Sequence, residues 1–367
     1  MKITADRNQL AESVARAAQG LPLHPDSPVR AGILLFVSDD HAHLTGGDED
    51  VTFTARLPLL EGSAEPARRI LPGKLLLEMT RYLPQQDVTL DISGSQVSFI
   101  CGRSSFTLGA RPGEEYPEWS APPAPRCTLD GAELAAGLRR VAPAASDDQA
   151  GLTGILLSLS DGKLTLVATD KYKLGLVELA ANGHPGTMLR TALLPAKAAE
   201  RYARYCEGEA RAGWDDCLVS LHSAGLLVTA RQVAARRTPD GEVDFLKWEP
   251  LLQGERAWHA CDTAELTRAV RMALLAAAPD AMGGRDARIA LAFGNGEVVV
   301  TAGGATQAAG CAYDGEPVDL AVGGRNLLAG LQGCGNLVYL SFTASRKPLL
   351  LDSDGLRWLV QTRGETP

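Results

Sequence analysis

GILLSLSDGKLTLVATDKYKLGLVE, Gly154 to Glu178, reads as β-strands folded at Asp161-Gly162. That dipeptide is one a two-residue type I′ hairpin prefers, because both central residues need positive φ. The same design returns twice: GILLFVSDDHAHLTG from Gly32 has the weaker turn pair Asp39-Asp40, and RIALAFGNGEVVVTAG from Arg288 has Asn295-Gly296. Three copies of one hairpin point to an internal repeat, and a missed repeat misassigns a whole fold.

Outward from each hairpin the surroundings repeat as well. Ahead of it lies a short amphipathic helix with an i, i+4, i+7 apolar stripe: Leu10/Val14/Ala17, Leu134/Leu138/Val141 and Leu266/Val270/Ala273. Each is preceded by an aspartate, Asp6, Asp130 or Asp262, placed to cap the helix and favour its positive end. Behind it a second helix is announced by LPGKLLLEM from Leu71, LPAKAAERY from Leu194 and VGGRNLLAG from Val322, and further alternating strands follow. Lys74 and Lys197 are 123 residues apart, and Lys197 and Arg325 are 128 apart. Pro-rich EEYPEWSAPPAPR and the stretch KWEPLLQGERA separate the copies. The expectation is an α+β chain of three repeated domains, 1–121, 126–248 and 256–363, with helices on one face of antiparallel sheet.

Composition bounds the function. Of 367 residues 45% are hydrophobic, and no apolar run approaches the ~20 that span a bilayer, so no membrane partner is expected. The N-terminus lacks the apolar core and cleavage site of a secretory signal, which predicts a cytoplasmic protein. Seven cysteines with no two within ten residues exclude zinc-ribbon spacing and read as buried thiols. A net charge of −8 argues at face value against nucleic acid. The charge is nonetheless uneven. The helical windows hold 12 Lys or Arg against 8 Asp or Glu, a balance of +4 that leaves −12 elsewhere. Lys74, Lys197 and Arg325 lie near helix starts, where the macrodipole disfavours cations and an anion would compensate. Helices presenting Arg16, Lys74, Arg81, Arg139, Arg140, Lys197, Arg201, Arg204, Arg268, Arg271 and Arg325 to one surface would form a diffuse positive lining. Such a lining contacts phosphates without reading bases. Ordinary solvated helix faces are the competing reading.

The repeats, the basic helices and the strings LTGILLSLSDGKLTLVATDKYKL, CGRSSFTLGARPGEEYP and LPGKLLLE together resemble the β sliding clamp family of bacterial DNA polymerase III, from Met1 to about Arg363. The resemblance implies a head-to-tail homodimeric ring, with helices lining the hole through which double-stranded DNA passes and sheets outside. It implies no catalysis and no cofactor, and it implies polymerase subunits and a clamp loader as partners. Those partners insert a peptide into a pocket between the second and third domains. The matching wall here is Leu152, Thr169, Tyr172 and Leu174, faced by Asp244, Lys347-Pro348 and the last strand with Val360, Gln361, Thr362 and Arg363. Ring closure is carried over to Phe106 and Leu108 on one side and Leu274 and Leu275 on the other.

Two departures fall in the same pocket. Gln361 and Thr362 stand where the family has Met and Pro, and Asp244 falls near an expected Pro. Exchanging apolar for polar wall removes about 1–3 kcal/mol per buried side chain. A divergent clamp, or a second clamp whose pocket resists an inhibitor that mimics the partner peptide, would both show this change. A clamp-like scaffold that no longer loads on DNA is an alternative. The acids Asp48-Glu49-Asp50 could hold Mg²⁺ for a nuclease, but they sit where a solvated turn is expected and no second acidic or histidine motif accompanies them. His41 and His43 alternate on one strand face without a third ligand. No phosphate-cradling or nucleophile-elbow motif is present. Asp170 reads as a turn residue, and Thr169, Tyr172 and Leu174 as the functional ones.

Overall fold

The computed structural model describes residues 1–84, 86–183, 190–254, 256–277, 286–342 and 347–363. About 21% of the chain is helix and 47% strand, an α+β protein as expected. In the first repeat β1 (Lys2–Ala5) leads into α1 (Arg7–Ala17), then β2 (Gly32–Gly47), β3 (Val51–Pro72) and α2 (Gly73–Arg81). It finishes with β4 (Val88–Ser93), β5 (Gln96–Cys101), β6 (Ser104–Gly109) and the short β7 (Arg111–Pro112). The second repeat has β8 (Pro125–Asp130), α3 (Gly131–Val141), β9 (Gly154–Ser160), β10 (Lys163–Thr169), β11 (Lys173–Ala180) and β12 (Asn182–Gly183). It continues through β13 (Thr191–Pro195), α4 (Ala196–Tyr202), β14 (Glu209–Trp214), β15 (Leu218–Ser223) and β16 (Leu226–Arg231). After a one-turn helix α5 (Glu249–Leu252), the third repeat holds β17 (His259–Asp262), α6 (Thr263–Ala276), β18 (Arg288–Gly294), β19 (Glu297–Ala302) and β20 (Ala305–Gly310). β21 (Val318–Gly323), α7 (Gly324–Leu331), β22 (Leu337–Ser341), β23 (Leu349–Ser353) and β24 (Leu356–Val360) complete it.

Local chemistry explains these elements. The Asp6 and Asp262 side chains accept from main-chain N–H groups of their helices, and Asp130 accepts from Glu133 N at 2.9 Å, so all three expected caps form. Every residue of the three apolar stripes is at most 1% exposed. The hairpin dipeptides adopt left-handed pairs, Asp161 (φ 51) with Gly162 (φ 75) and Asn295 (φ 51) with Gly296 (φ 77). Asp39 differs. It takes φ 40, the ladder to β3 shifts on both sides of it, and β-pairing runs through the bend so that β2 is one strand.

The chain forms two compact units, and they follow the sheets instead of the repeats. The first contains Met1–Ala135 and Arg204–Gln232. Its sheet runs β8-β14-β15-β16-β3-β1-β4-β5-β6, so the closing strands of the second repeat extend the sheet of the first. The core beneath it packs α1 and α2 residues such as Leu10, Val14 and Leu76 against Ile3, Leu35, Leu90 and Phe99. The second unit contains Ala136–Ala203 and Val233–Pro367. One of its sheets runs β13-β9-β10-β11-β24-β23-β22-β17, and the other runs β20-β19-β18-β21.

Candidate partner-binding site and basic helices

The second unit gathers the expected pocket residues where β11 joins β24. Leu174 lies opposite Leu359 and Lys173 opposite Val360, and on the far side of β24 Leu350 lies opposite Leu359. Leu174, Leu350 and Leu359 belong to one buried apolar cluster with Leu156, Val167, Leu176, Leu193 and Val243. The turn entering β11 is held by Asp170, whose Oδ1 accepts from the N–H groups of Tyr172 and Lys173, both at 2.9 Å, while Lys173 Nζ reaches Oδ2 at 2.6 Å. Thr169 Oγ1 donates to Lys173 O at 2.7 Å and accepts from Lys171 N, and Lys171 sits at φ 79. Asp170 is thus a turn anchor. Asp48 and Asp215 do the same work in their own turns, each accepting two main-chain N–H groups two and three residues ahead.

This turn leaves Tyr172 62% exposed, whereas Thr169 is 1% exposed, Leu174 2%, Leu152 9% and Val360 0%. Pro348 is half-buried and Asp244 exposed, its N–H donating to Arg236 O. Gln361 is exposed and its N–H donates to Tyr172 O at 2.8 Å, which ties the departing tail to the turn. Thr362 makes an isolated antiparallel bridge to Val322, and Arg363 N donates to Ala321 O. The polar tail is therefore held by its backbone and by two side chains, Thr362 Oγ1 donating to Lys347 O at 3.3 Å and Arg363 Nη1 to Asp286 O at 3.1 Å, with the Gln361 side chain left to solvent. Sequence reasoning named Asp244 on the linker side of the site and missed its apolar neighbours. Val243 is in the cluster, and Phe245, Trp248 and Leu252 pack on it. The signal was legible as two aromatics, Phe245 and Trp248, in a polar linker.

The basic side chains divide. Lys74, Arg81, Arg139, Lys197, Arg204, Arg271 and Arg325 are exposed and Arg201 is half-buried. Arg139 also donates to Ala203 O, and Arg81 pairs with Glu78 at 3.3 Å. Arg140 is committed to the fold: Nε reaches Gly333 O at 2.7 Å, Nη1 Asp354 O at 2.8 Å and Nη2 Ser353 O at 2.5 Å. Burial lowers its pKa, with nearby carboxylates acting the other way. Arg16, 8% exposed, is likewise committed, to Ala224 O at 2.8 Å and Glu12 at 2.7 Å. The anion expected at the start of α7 is internal. Asp286 accepts from Arg325 N at 2.7 Å and Asn326 N at 3.2 Å, so this helix needs no phosphate to balance Arg325. Beside α4 a cleft of about 330 Å³ is lined by Lys173, Lys197, Asp147 and Glu200, charges of both signs.

β6 and β20 each end a sheet, so each leaves one edge unpaired among the described residues. On β6, Phe106 stacks on Phe99 at 4.6 Å and Leu108 is 4% exposed inside the core of the first unit. On α6, Leu274 lies over Gly324, while Leu275 is 89% exposed.

The acidic triplet is occupied within the fold. Asp48 anchors its turn, Glu49 pairs with Arg30, and Asp50 lies 3.7 Å from Arg231. His41 Nδ1 bonds Asp40 at 2.7 Å, which lowers the Asp40 carboxyl pKa, and burial lowers that of His43. No group of three His, Cys, Asp or Glu suited to a metal occurs among the described residues.

Comparison with known proteins agrees with the geometry. Residues 1–120 match the family described as DNA polymerase III beta subunit, N-terminal domain. The beta sliding clamp of Streptomyces coelicolor is 31% identical over 96% of this chain and 93% of its own length. The beta sliding clamp homolog GriR of Streptomyces muensis is 27% identical over 94% of this chain and 92% of its own. Among solved structures, a Pseudomonas aeruginosa sliding clamp bound to griselimycin superposes over the full length of both chains with TM-score 0.86 at 21% identity, a likeness of fold. With the repeats, the joined sheets and a relative of this identity along nearly its whole length, the chain belongs to the β sliding clamp family of bacterial DNA polymerase III.

Proposed function

We propose that this protein is a processivity clamp. It closes as a homodimer around double-stranded DNA in the cytoplasm and holds polymerase subunits and other partners through a peptide site, without catalysing a reaction. The observation that carries this is the apolar cluster of Leu174, Val243, Leu350 and Leu359, walled by Phe245 and Trp248, beside the exposed ring of Tyr172. A cluster of that composition beside a large exposed aromatic is what an apolar peptide anchor needs. The three repeats, 1–121, 126–248 and 256–363, are the units we take as domains. Lys74, Arg81, Arg139, Lys197, Arg201, Arg204, Arg271 and Arg325 are the proposed phosphate contacts; Arg140 is spent inside the fold and contributes none. The open edges of β6 and β20, with Phe106 and Leu275, are the proposed ring closure; Leu108 and Leu274 support those faces from beneath.

Light scattering should give a particle near twice 38.8 kDa, and loading by a clamp loader onto nicked circular DNA should be lost when the circle is cut. A monomer, or retention on linear DNA equal to that on circles, would overturn the reading.

The exposed Gln361 favours a finer proposal: this is a clamp whose pocket resists an inhibitor mimicking the partner peptide. A cyclic peptide of the griselimycin type should bind it at least tenfold more weakly than it binds a clamp with an apolar tail. Gln361→Met with Thr362→Pro should restore much of that affinity. Equal affinity in the unaltered protein would remove the resistance reading and leave the clamp.

A further inference from the structure

Six of the seven cysteines are at least half-buried, and two of them face one another across strands. Cys261 in β17 and Cys311, just past the end of β20, form an isolated antiparallel bridge. Ala312 N donates to Ala260 O at 2.8 Å, one residue to either side of the pair. That places Cys261 and Cys311 at a non-hydrogen-bonded position, where facing Cα atoms come within about 4.5 Å and both side chains leave the sheet on the same side. Such a spacing suits a disulfide. Both residues are nearly enclosed, at 2% and 3% exposed, and Cys261 Sγ donates to the main-chain oxygen of His259 at 3.8 Å. The other thiols are directed elsewhere: Cys101 toward Pro84 O and Gln86 O, Cys206 toward Gly131 O, and Cys334 toward Gly330 O.

We propose that Cys261 and Cys311 form an oxidation site, a dithiol that closes to an intramolecular disulfide when the protein meets hydrogen peroxide. Cys261 Sγ keeps its proton on His259 O at 3.8 Å, so Cys311, just past the end of β20, is the thiol we take as the nucleophile. Its thiolate attacks one peroxide oxygen, the O–O bond breaks, and a Cys311 sulfenic acid forms as hydroxide leaves and is protonated to water. The Cys261 sulfur then displaces the sulfenic oxygen, which departs with the Cys261 proton as the second water. Two thiols are oxidised by two electrons and one peroxide becomes two waters. Access comes from local opening past the end of β20, where the ladder to β19 stops and the chain is held by Cys311 N to Gly296 O at 2.9 Å and Ala312 N to Ala260 O at 2.8 Å. Once closed, the bond staples β17 to the chain leaving β20, across 49 intervening residues.

Treat the full-length protein with a small excess of peroxide, quench, and measure intact mass, thiols titratable in denaturant and the disulfide-linked peptides. A loss of about 2 Da, the removal of two hydrogens, is expected in the monomeric chain. Five of the seven thiols should remain, with one cross-link joining Cys261 to Cys311. Cys311→Ser should abolish the cross-link and Cys217→Ser should leave it intact. Amide exchange around Cys311 should slow on oxidation and recover on reduction. Seven surviving thiols under conditions that oxidise a simple dithiol, a cross-link elsewhere, or oxygen adducts on single cysteines would each overturn the proposal. Because the mapping is made on the unaltered protein, a misfolded Cys311→Ser variant would not blunt the test.

Discussion

At the first place where one repeat's sheet runs into the next, Thr229 of β16 faces Thr52 of β3; at the second, Leu359 of β24 faces Leu174 of β11. The backbones match in detail. Arg231 N donates to Asp50 O at 2.7 Å in one and Gln361 N to Tyr172 O at 2.8 Å in the other. Gly73 N bonds Ala31 O where Ala196 N bonds Thr153 O. Even the clasp recurs, because Arg16 and Arg140 hold equivalent helix positions and each reaches a carbonyl in the tight turn of the next repeat, at Ala224 and Asp354. The linings do not match. Register pairs Val167 with Thr45, Leu174 with Thr52, Leu176 with Thr54, Leu350 with Ser220 and Leu359 with Thr229 as equivalent positions. Five apolar side chains in one junction are five hydroxyls in the other, and Tyr172 is replaced by Asp50 and Leu152 by Arg30.

At about 1.5–3 kcal/mol for each buried Leu or Val, those five positions, each at most 5% exposed, give the second junction an apolar floor that contributes several kcal/mol to its stability. The first junction keeps a cleft of about 360 Å³ lined by Thr45, Thr52, Thr54, Thr229 and Trp119, so it has room but little adhesion for an apolar peptide. Backbone geometry alone therefore does not make a partner site. On the function proposed above the lining does, which is why one site per chain is expected from a fold that offers the position twice.

The largest effect should come from making the second junction like the first. Leu174→Thr with Leu359→Thr should weaken a clamp-binding peptide at least a hundredfold in a titration and lower stability by about 3–6 kcal/mol in denaturant unfolding. Next, removing a clasp should cost stability in proportion to the carbonyls released. Arg140→Ala should lose about 2–3 kcal/mol, since three acceptors lose a charged donor, while Arg139→Ala loses less than half of that. Tyr172→Ala should weaken the peptide about tenfold with no change in the unfolding midpoint, because the ring is exposed in the free protein. Thr52→Leu with Thr229→Leu should change stability by under ~1 kcal/mol and create no measurable peptide site, since Arg30 and Asp50 remain.

The smallest effect is one of pH, confined to the first unit. Burial is the main cause of the lowered pKa values of His43 and His222. The unfolded chain then binds protons more readily than the folded one as pH falls through about 6.5, so stability should decline on acidification below that point. Unfolding midpoints of His43→Gln and the parent should converge toward acid pH.

Much of this was legible in the chain itself. The hairpin dipeptides, the capping aspartates and the helix stripes each state a local physical requirement, and each is met at the residues expected. The first repeat's bend at Asp39 is the weakest match, and Asp39-Asp40 was also the weakest turn signal. The pocket wall from Leu152 to Leu174 could be read because it is one contiguous hairpin. Trp248 and Phe245 could not be placed, since a linker has no periodicity to say which way a side chain faces. Arg16 and Arg140 looked like members of a basic surface because charge is visible in sequence, whereas the carbonyls they bind come from turns about 210 residues away. The anion at the start of α7 was likewise hidden in Asp286, 39 residues before Arg325.

The central claim is that partners dock at the second junction and not the first. Hydrogen–deuterium exchange of the full-length protein, with and without a peptide carrying the clamp-binding consensus, tests it directly. Slowed exchange at 170–176, 243–252 and 357–363, with no change at 48–54 and 226–232, is the predicted result. Protection at the first junction, or none at either at saturating peptide, would contradict it.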